Sequence, residues 1–156
     1  MEVEIITAEL NYIDDCVKAL VQSDLGRYYF NEPLKAETTL KEALYKKELY
    51  IALTDNGECV GFVWFIPNGA FHSFPYLHII AVKEEYRNHG VGKQLLKFFE
   101  DKASTSASSK YFLTVDDFNP KARKLYEKLG YQCVGTLPDL YKQGIACHLM
   151  MKTINR

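Results

Sequence analysis

Four residues in one short run, Arg87, Gly90, Gly92 and Lys93, have the types and spacing to hold an anion. With Asn88, His89 and Val91 between them they read R-x-x-G-x-G-K. Glycines let the backbone pass close to a charged group, successive N–H groups point at it, and a helix starting there adds its dipole. Arg87 and Lys93 can offset the remaining charge, so a phosphate suits this loop. Two common nucleotide loops do not fit. A P-loop needs Ser or Thr after Gly-Lys, and here Gln94 follows, with Arg87 at the first glycine site. A dinucleotide fingerprint needs a third glycine where Leu95 stands.

A second constellation lies about 30 residues on, from Asn119 to Tyr131. Asn119 is a candidate N-cap, Pro120 suits a first helical turn, and Gly130 suits a left-handed cap after the last one. Ala122, Leu125, Tyr126 and Leu129 mark one helix face.

The elements that must position these groups follow from periodicity. The pattern predicts strands at residues 3–7, 49–53, 59–66, 77–82, 111–115, 131–135 and 145–152. It predicts helices over Leu10 to Ser23, Lys35 to Lys46, the segment after Gly92, and the segment after Asn119. Thr54-Asp55-Asn56-Gly57 reads as a hairpin turn. Pro67-Asn68-Gly69 closes the next strand, and Ala70 to Pro75 reads as a loop with large side chains. Arg27 to Asn31 reads as irregular and aromatic, ended by Pro33, and Ser104 to Ser109 as a surface connection. This is a mixed α/β domain over residues 1–156, with one central, largely antiparallel sheet of about seven strands and about four helices.

Composition bounds the function. Nineteen basic and twenty acidic residues leave a formal charge of −1, with no field that marks a nucleic-acid or membrane-surface binder. The acidic start (Glu2, Glu4) does not resemble a secretory signal, and no apolar run is long enough to span a bilayer. Cys16, Cys59, Cys133 and Cys147 are widely spaced, which suits reduced thiols in a cytoplasmic protein. The four histidines show no ligand spacing, so no metal site is expected.

Together, the apolar strand with R-x-x-G-x-G over Leu77 to Lys93, and Asn119, Ala122, Leu125-Tyr126, Gly130-Tyr131 in that order, resemble the GNAT superfamily of N-acetyltransferases. The resemblance covers residues 3 to 152. It implies acetyl-CoA as cofactor, its pyrophosphate cradled by Arg87, Asn88, His89, Gly90, Val91, Gly92 and Lys93. It implies that the pantetheine arm pairs with backbone around Ile80, Ala81 and Val82, where the strand diverges from its neighbour. Asn119 would touch the arm, Tyr126 would lie near the sulfur, and Arg123 or Lys124 would meet the 3′-phosphate.

Acetyl transfer to an amine sets further requirements. An alkylamine with pKa near ~10.4 is well under about 1 % neutral at pH 7, so a base must remove a proton. The leaving thiolate needs a proton donor, and Tyr126 is the candidate general acid. The sequence has no Glu between Val60 and Val82, the position of a base in some members, so His78 and Asp116 (with Asp117) are the candidates. Tyr28, Tyr29, Phe30, Phe71, His72 and Phe74, with Tyr141, would wall the acceptor. The expected activity is transfer of acetyl to a primary amine of a small molecule or peptide. The competing reading is a catalytically silent acyl-CoA-binding regulatory module. The final strands would suit a homodimer edge, which the sequence leaves open.

Overall fold

The computed structural model describes residues 1–104 and 109–154. Its elements are β1 (Glu4–Thr7), α1 (Ile13–Val21), α2 (Asp24–Tyr29), α3 (Pro33–Tyr45), β2 (Leu49–Leu53), β3 (Cys59–Ala70), β4 (Phe74–Val82), α4 (Val91–Ala103), β5 (Lys110–Asp116), α5 (Pro120–Lys128), β6 (Gln132–Leu137) and β7 (Cys147–Thr153), with 3-10 turns at Leu10–Tyr12 and Glu84–Tyr86. The strands form one open sheet in the order β1-β2-β3-β4-β5-β7-β6, as the mixed-sheet expectation required. β4 and β5 run parallel; β1–β2, β2–β3, β5–β7 and β6–β7 are antiparallel. The chain divides into two compact units, Met1–Phe65 with Ile79–Lys102, and Ile66–His78 with Ala103–Arg156.

In the first unit Ile13, Cys16, Ala19 and Leu20 of α1 and Val91, Leu95, Leu96 and Phe99 of α4 are buried at helical spacing, while Val17, Val21 and Phe98 flank them half-buried. Gly57, at φ 79°, closes the β2–β3 turn with its N–H on the Thr54 carbonyl. Phe65 lies 5.2 Å from Phe99 and stacks on Tyr50 at 5.1 Å. Gly61 allows a close approach: a Cβ there would stand 2.8 Å from the Ala81 carbonyl oxygen and 3.4 Å from the Leu95 side chain. Any larger residue at this point of β3 pushes on the end of β4 and on α4.

In the second unit β5 pairs with β7 along its whole length, from Lys110↔Thr153 to Asp116↔Cys147. Tyr111, Leu113 and Val115 are buried. Lys152, the register partner of Tyr111, lies beside Gly130 and over the Tyr131 ring, so the end of α5 sits on the face of those odd-numbered residues. The even-numbered residues Phe112, Thr114 and Asp116 point to the opposite face.

Three expectations change. The segment around Tyr28, Tyr29 and Phe30 is not irregular: Tyr28 and Tyr29 lie on α2, and Phe30 caps it. Ser23 creates that helix, its hydroxyl oxygen accepting from the Gly26 N–H at 3.1 Å. Pro33 opens α3 at its first turn instead of ending a loop. Finally, Pro67-Asn68-Gly69 does not close β3, which continues to Ala70, so Phe71 and Phe74 belong to a hairpin and not to a loop. The β2–β3 ladder ends at Leu49↔Trp64, so Pro67 lies past it and costs that ladder no hydrogen bond. The true turn has Phe71 and His72 at its centre, with φ 55° and 57°, and Ser73 N–H donating to the Ala70 carbonyl at 3.0 Å. Of the connection at Ser104 to Ser109, residues 105–108 lie outside the described residues.

Candidate active site

The anion loop belongs to the first unit. After Val82 the chain makes the Glu84–Tyr86 turn, then passes through extended Arg87, left-handed Asn88 (φ 65°) and left-handed Gly90 (φ 83°) into α4. The Gln94 N–H closes the helical pattern on the Gly90 carbonyl at 3.2 Å. The N–H groups of Val91, Gly92 and Lys93 come before that bond, in the first turn where a helix has no carbonyls to offer them. They and the positive end of the dipole point out of the helix together.

The glycines leave room above these donors. A Cβ on Gly90 would meet nothing within 4 Å, and one on Gly92 only Val82 Cγ2 at 4.0 Å. Neither glycine is needed for internal packing of neighbours, so the bare backbone is open to an outside group; a diphosphate fits that donor set. Gln94 ties the loop down, its amide nitrogen donating to the Met1 carbonyl at 2.6 Å and the Gly90 carbonyl at 3.2 Å. Arg87 does the same from the other side. Its Nε donates to the Val82 carbonyl at 3.3 Å and its Nη2 to the Gln22 carbonyl at 2.8 Å. The guanidinium thus shapes the loop between the ends of β4 and α1, while Lys93 is exposed on the first helical turn. Ile80 and Val82 are half-buried, and Ala81 between them is buried.

The second unit holds the remaining chemistry. Asn119 is the N-cap of α5, its side-chain oxygen accepting from the Ala122 N–H at 3.3 Å. Tyr126, 8 % exposed, meets Tyr131 edge to face at 6.2 Å. Burial pushes its phenol up to about 12, so it holds its proton at neutral pH. Arg123 pairs with Glu127 at 3.6 Å along the exposed side of the helix.

Asp116 ends β5 with 9 % exposure, and the Cys147 thiol donates to its Oδ1 at 2.8 Å. Burial first, then the Asp116 hydrogen bond, push that thiol up to about 12. Asp117 is held by its neighbours: the Ala146 N–H donates to Oδ2 at 3.2 Å, and His148 Nε2 lies 2.6 Å from Oδ1. His148 Nδ1 in turn lies 3.0 Å from the Thr136 hydroxyl. His78 tilts against Tyr76 at 5.9 Å, and the Tyr76 hydroxyl lies 3.1 Å from that of Thr114. Burial holds the Tyr76 phenol well above its ordinary range; Thr114 opposes the rise, and the charge and hydrogen bond of Tyr141 add to it. Tyr76, Thr114, Thr136, Cys147 and His148 are polar neighbours that sequence reasoning did not single out. Only the β5–β7–β6 register brings most of them together, and no local signal encodes it. The parallel β4–β5 ladder consists of Tyr76↔Phe112 and Leu77↔Leu113, although both strands continue beyond it.

Among the described residues no group of His, Cys, Asp and Glu could hold a metal ion, and no helix is long and apolar enough to cross a membrane. The four cysteines are free thiols. Residues 17–131 match the family model of the acetyltransferase (GNAT) family. The chain is 30% identical over 169 aligned residues to an N-alpha-acetyltransferase of Sulfurisphaera tokodaii, covering 96% of this chain and 92% of that protein. It is 30% identical over 118 residues to the spermidine N(1)-acetyltransferase of Escherichia coli K12, covering 71% and 62%. Its fold superposes with TM-score 0.76 on an aminoglycoside 6'-N-acetyltransferase complexed with coenzyme A, at 23% identity and 98% coverage of each chain.

Proposed function

We propose that this chain, which belongs to the GNAT acetyltransferase family and is an acetyltransferase, moves an acetyl group from acetyl-CoA to a primary amine of a small molecule or peptide. The observation that carries this reading is the first turn of α4, where the N–H groups of Val91, Gly92 and Lys93 face space that Gly90 and Gly92 leave open. They hold the pyrophosphate of CoA, with Asn88 and His89 in the same loop, Arg87 fixing its shape and Lys93 adding charge. Backbone around Ile80, Ala81 and Val82 receives the pantetheine arm. Asn119 touches that arm, and Arg123 approaches the 3′-phosphate.

Acetyl-CoA supplies the activated acyl group as a thioester, and the protein supplies the proton transfers. The amine nitrogen forms the new N–C bond as the C–S bond breaks. Tyr126 gives its proton to the departing sulfur; its raised pKa keeps the phenol protonated at neutral pH. The proton lost by the nitrogen goes to His78 or Asp116. The developing charge on the carbonyl oxygen is met by a backbone N–H of β4. Free thiols and the relatives' amine chemistry support a cytoplasmic small-amine enzyme. The exposed edge strand β6, with Val134 and Leu137 outward, supports a homodimer, which sedimentation at two concentrations would reveal.

The test is release of free CoA, followed by thiol detection, across a panel of amines. Amine-stimulated release that falls sharply in Tyr126→Phe supports the reading. CoA binding by calorimetry with no stimulation by any amine overturns it in favour of a silent acyl-CoA-binding module.

A further inference from the structure

One face of the second unit is built unlike the rest of the sheet. The face that carries α5 is lined by buried Tyr111, Leu113 and Val115. On the opposite face the side chains of β5 change character in steps: an aromatic ring at Phe112, a hydroxyl at Thr114, a carboxylate at Asp116. Strand geometry spaces these about 7 Å apart, so the ring and the carboxylate are roughly 13 Å apart along the backbone.

The neighbouring elements extend each step. At the aromatic end, Phe71 meets Phe112 edge to face at 5.5 Å and Phe74 meets it at 5.6 Å. Phe71 is 69 % exposed. It is held there by a turn whose two central residues adopt left-handed backbone, a conformation that favours Gly or Asn over an aromatic. In the middle, Tyr76 and Thr114 share a hydrogen bond, and Tyr141 approaches Tyr76. At the far end Asp116 is fixed by the Cys147 thiol.

We propose that this face selects the acceptor, and that the acceptor is a primary amine carrying an aryl group about 10–13 Å from its nitrogen. This rests on the acetyltransferase reading and adds the substrate class. The nitrogen lies at Asp116, whose charge attracts an ammonium and accepts its proton. The chain of the acceptor passes the Tyr76–Thr114 hydroxyls. The aryl group packs against the exposed ring of Phe71, which itself rests edge to face on buried Phe112. A polyamine would instead ask for carboxylates repeated along the strand. From Phe74 and Phe112 onward this face of β4 and β5 presents rings and hydroxyls up to Asp116, and Lys110, the first even-numbered residue of β5, is cationic.

The experiment compares kcat/KM for 6-phenylhexylamine, hexylamine, phenethylamine and spermidine with acetyl-CoA, using the full chain. The expected result is a preference of about tenfold or more for 6-phenylhexylamine over hexylamine, the effect of burying one ring, with phenethylamine poorer because it is too short. Phe71→Asn removes the ring while keeping a residue that accepts the left-handed turn. It should lower the 6-phenylhexylamine to hexylamine ratio at least about threefold. Phe74→Leu, which keeps an apolar side chain in β4, should lower the same ratio. Equal rates for the two six-carbon amines, or a preference for spermidine, overturn the proposal while leaving the acetyltransferase reading intact. Absence of CoA binding, or of turnover with every amine, overturns both.

Discussion

Lys83 Nζ lies 2.7 Å from Asp15 Oδ1, and the lysine side chain is only 5 % exposed. The pair joins the residue that follows β4 to the first turn of α1, and the Lys83 N–H also donates to the Val60 carbonyl at 2.8 Å. Burial works to lower the Lys83 pKa, but the hydrogen bond and charge of Asp15, with the charges of Cys59 and Glu58 adding, together outweigh it, so the net shift is upward. A raised lysine pKa contributes stability that is complete below the unfolded value of ~10.4 and is lost as pH rises through the folded value. Lys83→Met should cost about 1–3 kcal/mol near pH 8, since it leaves a half-buried carboxylate without its partner. The gap in Tm between wild type and variant should narrow above pH ~10.5. A gap independent of pH would show that the ion pair is not its source.

Tyr126→Phe should lower kcat about 100-fold, the lower range for loss of a positioned acid, with much less effect on the KM for acetyl-CoA. The edge-to-face contact with Tyr131 does not need the hydroxyl, so the fold should persist. Because burial pushes the phenol up to about 12, Tyr126 should add no alkaline limb to the kcat profile below pH 10. Steady-state kinetics between pH 6 and pH 10, read as approximate bounds on the accessible range, check both statements.

Gly61→Val should destabilise by about 1–3 kcal/mol or more, because even a Cβ would stand 2.8 Å from the Ala81 oxygen. The same displacement reaches the part of β4 that is proposed to receive the pantetheine arm. CoA affinity by calorimetry should therefore fall together with Tm. A loss of stability with unchanged CoA affinity would separate Gly61 from the site.

Alkylation should distinguish the cysteines. Cys133 is exposed, while Cys147 is buried with its thiol pushed up to about 12 and engaged on Asp116. At pH 8, mapped by mass spectrometry, iodoacetamide should modify Cys133 in the native protein and Cys147 only after denaturation. Equal rates at the two sites would contradict the buried Cys147–Asp116 contact.

The turn at Phe71 and His72 should be improvable. Replacing the pair by Asn-Gly fits the left-handed φ values of 55° and 57° and should raise stability by about 1 kcal/mol. Thermal denaturation measures it. No gain would mean that the Phe71 contact with Phe112 contributes as much as the turn conformation costs.

The regular elements were legible where periodicity was strong. The apolar spacings in α1 and α4 gave their buried faces, and Asn119-Pro120 gave the start of α5 with its cap bond. The hairpin between β3 and β4 was misread because its punctuation is misplaced. Asn68-Gly69 looks like a turn, yet Gly69 lies in the strand, where a Cβ would come within 2.8 Å of Ile66 Cβ and 2.9 Å of Tyr76 Cβ. The residues that do turn, Phe71 and His72, carry no turn signature. α2 was hidden for a similar reason: Gly26 and adjacent tyrosines suggest a loop, and only the packing against the end of α1 shows why Gly26 is needed. In the site, the loop from Arg87 to Lys93 was visible because its signal is local. The companions of Asp116 and Asp117 were not, because Cys147 and His148 arrive from a strand about 30 residues away through a register that only tertiary pairing sets.

The Phe71–His72 turn makes the tip of the β3–β4 hairpin a replaceable cassette. Sheet register is set elsewhere, by ladders such as those of β5 with β7 and β4 with β5, so two residues can be exchanged without moving a strand. The existing pair already occupies backbone that most residues disfavour, so many substitutions would be neutral or stabilising. Randomising positions 71 and 72 alone should therefore yield a small library of folded variants, and kcat/KM across the amine panel would read whether they differ in the acceptor they take.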